Sequence, residues 1–212
     1  SQLLSSQDPR LKNISVIATL PAVSHVHRCA AEQGILMTGL GFVQKEVFLP
    51  NGDVLPAALR NPSSYIALDA AGKRFMREDL PYNQWLEEVI NRAQGSAVLI
   101  ASGSGQSLGP YWTITPNLQT LAHDIGLTAP LLANAIADYN NIVDAQVDPL
   151  GKSVKALTKH ITGPDYMGAQ IQVRVLTTLG GIRINQNAQV LDRLRRPIAG
   201  LFAAGDVTGG IH

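Results

Sequence analysis

Cysteine is nearly absent from this chain, since Cys29 is the only one among 212 residues. One thiol cannot build a disulfide framework or a cysteine-rich metal site. The five histidines are scattered and lack the spacing of metal ligands, so no metal is expected. Cys29 itself is predicted to be a small, buried, apolar residue.

Charge is also scarce. Charged residues make up 16% of the chain, the net charge is +1, and lysine and arginine form no run. These features argue against nucleic acid or an anionic membrane surface as a partner. Because no apolar run is long enough to span a bilayer, we expect a cytoplasmic protein, although a targeting sequence further upstream would not be visible.

Apolar residues are plentiful at 45%, which is enough for a substantial core. Tight-turn residues at 50–53 and 70–73 predict two β-hairpins, the second joining residues 65–68 to residues 74–76. Further strands are expected over residues 96–101, 169–175, 181–184 and 189–191, and residues 200–204 are expected to form a final buried strand.

Apolar residues spaced three and four apart predict helices. One spans residues 82–93, with Trp85 on its buried face. Thr115 and Pro116 are expected to start a second helix, and Thr128 is expected to cap a third. Since strands and helices do not alternate strictly, the middle of the chain is predicted to be α+β.

Four segments, in the same order, resemble conserved patterns of one flavoprotein family. Residues 69–78 are similar to N-x-x-G-K-R-F-x-N-E, and residues 118–152 are similar to a pair of helices followed by G-x-D-x-x-x-G-K. Residues 178–191 resemble a T-x-G-G strand segment, and residues 196–206 resemble P-I-x-G-L-Y-A-A-G-E/D. The family is that of soluble fumarate reductase, urocanate reductase and 3-ketosteroid dehydrogenase.

The resemblance implies FAD as the cofactor, and an α+β substrate-capping domain flanked by parts of an α/β FAD-binding domain. Residues 1–45 would lead from the FAD domain into the cap, residues 46–165 would form the cap, and residues 166–212 would return into the FAD domain. The G-x-G-x-x-G phosphate loop is missing, since residues 103–109 lack its spacing. We therefore expect a piece of a longer enzyme that is inactive by itself and binds FAD weakly or not at all.

The resemblance also implies which residues bind the cofactor. Thr178, Gly180 and Gly181 would run beside the isoalloxazine ring, where a flat ring leaves no room for side chains. Gly205 would turn the chain after the last strand, and the Asp206 carboxylate would accept hydrogen bonds from the ribityl hydroxyls. The structural alternatives are a Gly-Gly bulge and an ordinary surface turn.

The substrate side departs from the fumarate reductases of this family. Those enzymes place an arginine four residues after the hairpin glutamate, where Tyr82 follows Glu78 here. Their glutamine-x-histidine pair is matched by Gln44 with a glutamate two residues later, and Thr177 replaces the histidine that precedes T-x-G-G. A dicarboxylate would be poorly paired here. Gln44, Glu78 and Thr177 are nevertheless the candidate substrate-binding residues.

Residues 78–82, E-D-L-P-Y, instead resemble the N-E-x-x-P-Y of 3-ketosteroid dehydrogenases, whose tyrosine moves a proton. A phenol suits that role, since it donates a hydrogen bond to a carbonyl and accepts a proton as phenolate. In the structural alternative, Tyr82 simply begins the helix and packs on Trp85 or Leu86. Tyr166, where the family often has P-F-Y-A, is the second catalytic candidate.

The preferred hypothesis is an FAD-dependent enzyme that transfers a hydride between the flavin and a carbon next to a carbonyl or an activated double bond. Its partners would be a small-molecule substrate and an unidentified electron donor or acceptor, and a homo-oligomer stays open. Two alternatives remain: a fumarate reductase-like enoate reductase with a rebuilt active site, and a non-catalytic cap or binding module.

Overall fold

A computed structural model of the chain describes residues 8–15, 21–54, 62–63, 65–103 and 112–210. The chain forms two compact units, one from Ser1–Glu46 with Arg174–His212, and the other from Val47–Val173. We call them the split unit and the central unit. Among the described residues, no helix has both the length and the apolar character needed to cross a membrane.

The helices and strands are numbered in chain order. The helices are α1 (Pro21–Glu32), α2 (Tyr82–Ala93), α3 (Leu118–Asp124) and α4 (Ala129–Ala145). The strands are β1 (Met37–Thr38), β2 (Val43–Phe48), β3 (Tyr65–Leu68), β4 (Ser96–Ser102), β5 (Thr113–Thr115), β6 (Tyr166–Thr178), β7 (Gly181–Ile182), β8 (Gln189–Leu191) and β9 (Pro197–Phe202). The mixture of helix and sheet agrees with the α+β prediction at this coarse level.

A five-stranded sheet has the order β2-β6-β4-β3, with β5 also paired to β6, and most of its residues belong to the central unit. The pairs β3–β4, β4–β6 and β5–β6 are antiparallel, and Tyr65 pairs with Ala101. One face of the sheet packs under α3 and α4. This core contains Ile66, Leu68, Val98, Ile100, Leu121, Leu132, Ile136, Tyr139 and Val143. Side chains that alternate with the strand members of this core face the other side, and α2 packs against β4.

The split unit is smaller and less regular. Its strands form two antiparallel pairs, β1 with β7 and β8 with β9. Ala30 of α1, Ile182 of β7 and Val190 of β8 form its buried centre. A short 3₁₀ turn, Gly205–Val207, follows β9 and packs against α1 and β7.

Several local predictions are confirmed. The turn at residues 50–53 closes with the Leu49 amide on the Asp53 carbonyl, and the turn at 70–73 closes with the Asp69 amide on the Lys73 carbonyl. Only Arg74 of residues 74–76 then bridges back to β3, so that arm is shorter than predicted. Helix α2 has the predicted bounds, and Trp85 is buried.

Three local predictions are wrong. Helix α3 is capped by Asn117, whose side chain accepts from the amides of residues 119 and 120, so Thr115 and Pro116 lie before the helix. The last strand, β9, is largely exposed, since Pro197, Leu201 and Phe202 all face solvent. Cys29 is exposed on α1 because the buried face of that helix is formed by its neighbour Ala30. The glycine-rich segment 103–109 lies almost wholly outside the described residues.

Candidate functional site

Asp206 lies in the short turn that follows β9 in the split unit. Gly205 adopts a φ of +74°, and no heavy atom lies within 4 Å of the place where its Cβ would be. Two hydrogen bonds close the turn: the Thr208 amide and the Thr208 hydroxyl both donate to the Gly205 carbonyl, at 2.9 and 2.7 Å. Asp206 is therefore presented to solvent beside open space.

The diglycine Gly180-Gly181 is buried where backbone segments of the split unit meet. A Cβ on Gly180 would overlap the backbone of Gly39, and a Cβ on Gly181 would overlap the carbonyl of Val207. Backbone crowding therefore requires glycine at both positions, whatever lies on their other side. Thr178 is half-buried and is the last residue of β6, which ends two residues before Gly180.

The two predicted cofactor-binding segments are brought together. Ile182 bridges in parallel to Thr208, and the Gly209 amide donates to the Ile182 carbonyl at 3.0 Å. Gly181 packs on Val207, the residue that follows Asp206. The diglycine and the Asp206 turn thus lie on adjoining backbone segments, as a shared ligand would require.

His27 supports the same turn and was not singled out from the sequence. Its imidazole is 5% exposed, and its Nε2 atom lies 3.0 Å from the Val207 carbonyl oxygen. No local motif marks this histidine, because its partner is 180 residues away in the chain. The contact ties α1 to the turn that carries Asp206.

Gln44 and Thr177 also belong to the split unit. Gln44 is exposed on β2, and Thr177 is half-buried near the end of β6, where its hydroxyl donates to the Thr178 carbonyl at 3.4 Å. These observations do not assign a ligand to either side chain. The roles of Gln44 and Thr177 in substrate binding stay predictions.

Glu78, in the central unit, has a fully buried side chain. Its carboxylate accepts from the Arg74 guanidinium twice at 2.8 Å, from the Ala67 amide at 3.1 Å, and lies 3.0 Å from the Lys152 ammonium. Each oxygen has at least two partners inside the protein. The hydrogen bonds and ion pairs of the Glu78 carboxylate are therefore made to groups of the protein itself.

Arg74 joins Glu78 to a second buried carboxylate, that of Asp148, through two further bonds of 2.8 Å. Burial alone would lower the pKa of Arg74, but its hydrogen bonds to the two carboxylates outweigh that effect and raise it above the ordinary value. Lys152 also donates to the Tyr139 hydroxyl at 3.1 Å. The cluster therefore contains two cations and two anions, and its formal charges balance.

Tyr82 is the first residue of α2, directly after Pro81. It is 44% exposed, and its hydroxyl oxygen accepts a hydrogen bond of 3.4 Å from the Val47 amide. The phenol is thus held at its tip while much of the side chain faces solvent. Exposure is consistent with a role toward a ligand, and the catalytic assignment stays a prediction.

Tyr166 occupies a different place in the central unit. It is the first residue of β6, pairs with Ser102 and Thr115, and packs half-buried against the core under α3 and α4. Its ring also lies against Gly163, where a Cβ would be in close contact with it. These contacts account for the side chain as part of the core, and its catalytic role stays a prediction.

Comparison with known proteins decides the family. The model of the FAD binding domain family matches residues 26–212. The chain belongs to this family. It is 33% identical over 199 residues to an NADH:acrylate oxidoreductase of Vibrio harveyi, an alignment that covers 84% of this chain and 19% of the relative.

Two solved structures share the fold. The open conformation of a flavocytochrome c3 fumarate reductase superposes with a TM-score of 0.83 at 24% identity, covering 100% of this chain and 39% of that one. A 3-ketosteroid delta1-dehydrogenase from Sterolibacterium denitrificans, in complex with 1,4-androstadiene-3,17-dione, gives a TM-score of 0.64 at 20% identity, covering 99% and 46%. The chain thus spans less than half the length of these proteins.

FAD is the cofactor of this family, as the resemblance of the four segments implied. The open space beside Gly205 and the exposed Asp206 carboxylate fit a polar part of such a cofactor, because a carboxylate accepts hydrogen bonds from hydroxyl groups. Relatives in this family, such as the NADH:acrylate oxidoreductase of Vibrio harveyi, are oxidoreductases.

Proposed function

We propose that the whole protein transfers a hydride between FAD and a carbon of a double bond activated by a neighbouring carbonyl or carboxyl group. The single observation that carries this proposal is the family match over residues 26–212, which includes the diglycine and the Asp206 turn in one unit. When bound, the flavin supplies the redox chemistry, while the protein binds, orients and protonates the substrate.

In this proposal, the split unit holds the cofactor. Asp206 would accept hydrogen bonds from hydroxyl groups of FAD, and Gly205 would let the backbone approach it closely. The diglycine Gly180-Gly181 would let the β6–β7 connection pack closely against Val207, and this packing would hold the Asp206 turn in place. Thr178 would border the same surface.

The central unit, Val47–Val173, would be the substrate cap, with Tyr82 as the group that moves a proton. In this proposal the Tyr82 hydroxyl would donate its proton to the substrate, while the Val47 amide donates to the phenol oxygen. The same donor stabilises the oxygen after its proton has left. Tyr82 is also more exposed than Tyr166, which favours it as the primary candidate.

A second observation supports reduction as the direction of the reaction. A relative whose alignment covers 84% of this chain is named for acrylate, a monocarboxylate with an activated double bond. Glu46 and Thr177, which stand where fumarate reductases carry histidines, provide no positive charge for a second carboxylate. Reduction of an unsaturated compound with at most one carboxylate is therefore favoured over fumarate reduction, and dehydrogenation of a 3-keto compound is the second candidate.

A substrate panel on the full-length protein tests the proposal. The purified protein should be yellow, and after reduction by dithionite it should be reoxidised anaerobically by acrylate, and more slowly by fumarate. Reduction of an artificial dye with a 3-ketosteroid, and no reoxidation by acrylate, would instead assign dehydrogenation. A full-length protein that stays colourless after supplementation with FAD would indicate a non-catalytic binding module.

A further inference from the structure

We propose that Glu78 is a positioning residue for Tyr82. Three residues separate the two in the sequence, and the contacts of Glu78 fix the chain segment that leads into α2. The inference rests on the proposed role of Tyr82, and it replaces the expectation that Glu78 binds substrate.

The first step is the occupancy of the Glu78 carboxylate. Its oxygens bind Arg74, Lys152 and the Ala67 amide, all within 3.1 Å, and the side chain has no exposed surface. A substrate could reach it only by displacing a buried cation, which would leave that cation unpaired. The Glu78 carboxylate therefore stabilises the folded structure and does not bind substrate.

The second step is a neighbouring anchor on the same segment. The Asp79 carboxylate accepts from the Ser153 amide at 2.9 Å and pairs with Arg77 at 2.7 Å. Glu78 and Asp79 thus both bind the segment 148–153, through Lys152 and Ser153 respectively. That segment is itself closed by Asp148, which accepts from the Lys152 amide at 2.9 Å.

The third step connects these anchors to the phenol. Only Leu80 and Pro81 separate Asp79 from Tyr82, and the ring of Pro81 restricts the backbone at the start of α2. The phenol oxygen meets the Val47 amide at the other end of the side chain. Tyr82 is thereby held both at its backbone and at its tip.

Accurate placement matters for a proton-transfer group, since a displacement of about 1 Å can lower a rate roughly a hundredfold. A residue far from substrate can therefore control turnover through the position of the phenol. The buried pair of Glu78 and Lys152 performs this function without contacting the reacting atoms.

Two variants of the full-length protein test the inference. Glu78→Gln alone leaves a surplus positive charge in the cluster, so we add the double variant Glu78→Gln/Lys152→Met, which leaves Arg74 paired with Asp148 and restores the balance. Val143→Ala is the matched control, because it removes core volume from α4 in the same unit at a residue outside the segment 74–82. Urea unfolding measures how much stability the double variant and the control have each lost, so that their activities can be compared at known stability.

Two readouts separate positioning from stability. In the double variant, kcat should fall roughly ten- to a hundredfold, with KM changed by less than about twofold. In protein labelled with 3-fluorotyrosine, the ¹⁹F resonance assigned to Tyr82 by Tyr82→Phe should move toward the frequency of the unfolded protein. The Val143→Ala control should show neither change. Wild-type kcat and an unmoved Tyr82 resonance in the double variant would overturn the inference.

The same experiments distinguish failure of the inference from failure of the proposed function. If Tyr82→Phe leaves turnover unchanged, the phenol does not move the proton, and the proposed role of Tyr82 fails. The ¹⁹F resonance still reports whether Glu78 and Lys152 hold Tyr82 in place. If Tyr82→Phe abolishes turnover and the double variant leaves the resonance unmoved, only the positioning role fails.

Discussion

The imidazole Nε2 atom of His27 lies 3.0 Å from the carbonyl oxygen of Val207. A carbonyl oxygen can only accept, so Nε2 carries the proton in this contact. The bond joins α1 to the Gly205–Val207 turn, and this turn carries the exposed Asp206. A buried histidine early in the chain thus supports a turn near its other end.

Replacement of His27 by alanine should destabilise this turn. It removes the donor to Val207 and packing volume from a buried position, and an unsatisfied carbonyl costs about 1–3 kcal/mol. In the full-length protein we expect weaker FAD retention, measured by flavin fluorescence during dialysis. His25→Ala, on the exposed side of the same helix, is the control. Equal FAD loss from both variants would contradict a specific role for His27.

The features that the sequence predicts best are local. Helix α2 repeats its apolar residues with helical spacing, and the turns at 50–53 and 70–73 use residues that favour tight turns. The family and FAD were also predictable, because four segments match known patterns in order. None of these predictions needed information about distant contacts.

Long-range partners could not be predicted in this way. The residues Arg74, Asp148 and Lys152 stand within matched segments, yet nothing local indicates that they meet around Glu78. The same holds for His27 and Val207. Even the requirement for glycine at Gly180 depends on Gly39, a residue far away in the sequence.

The start of α3 shows how a local rule can select the wrong residue. Thr115 followed by proline predicts a cap, but Asn117 caps the helix and Thr115 instead accepts from the Asn117 amide at 3.1 Å. Asn117→Ala should therefore destabilise the chain by about 1 kcal/mol in urea unfolding. Thr128, at the start of α4, makes no side-chain capping bond, so Thr128→Ala should cost clearly less. The reverse order would show that the observed caps do not determine helix stability.

Acid should weaken the contact between Asp79 and the segment 148–153. Burial alone would raise the pKa of Asp79, but hydrogen bonds from Arg77 and Ser153 outweigh it and lower the pKa to about 2. Because the folded pKa lies below the ordinary value of 3.8, the stabilisation is complete above that value and is lost as the pH falls through 2. The difference in unfolding free energy between the wild type and Asp79→Asn should be constant from neutral pH to about pH 5 and shrink toward pH 2. A difference that does not depend on pH would contradict this ionic role.

Replacement of Tyr82 by phenylalanine should lower turnover of the full-length enzyme by at least about a hundredfold, because it removes the proton-carrying hydroxyl and keeps the ring. Stopped-flow reoxidation of the reduced flavin, with the unsaturated substrate in excess, measures this step directly. Tyr166→Phe is the matched control: it makes the same chemical change at a half-buried residue that packs against the core. Tyr82→Phe also removes the acceptor of the 3.4 Å hydrogen bond from the Val47 amide, and the loss of that contact should change stability little. If Tyr166→Phe lowered turnover a hundredfold and Tyr82→Phe did not, Tyr166 would be the proton-transfer residue in place of Tyr82. Unchanged rates in both variants would place the proton donor on another residue.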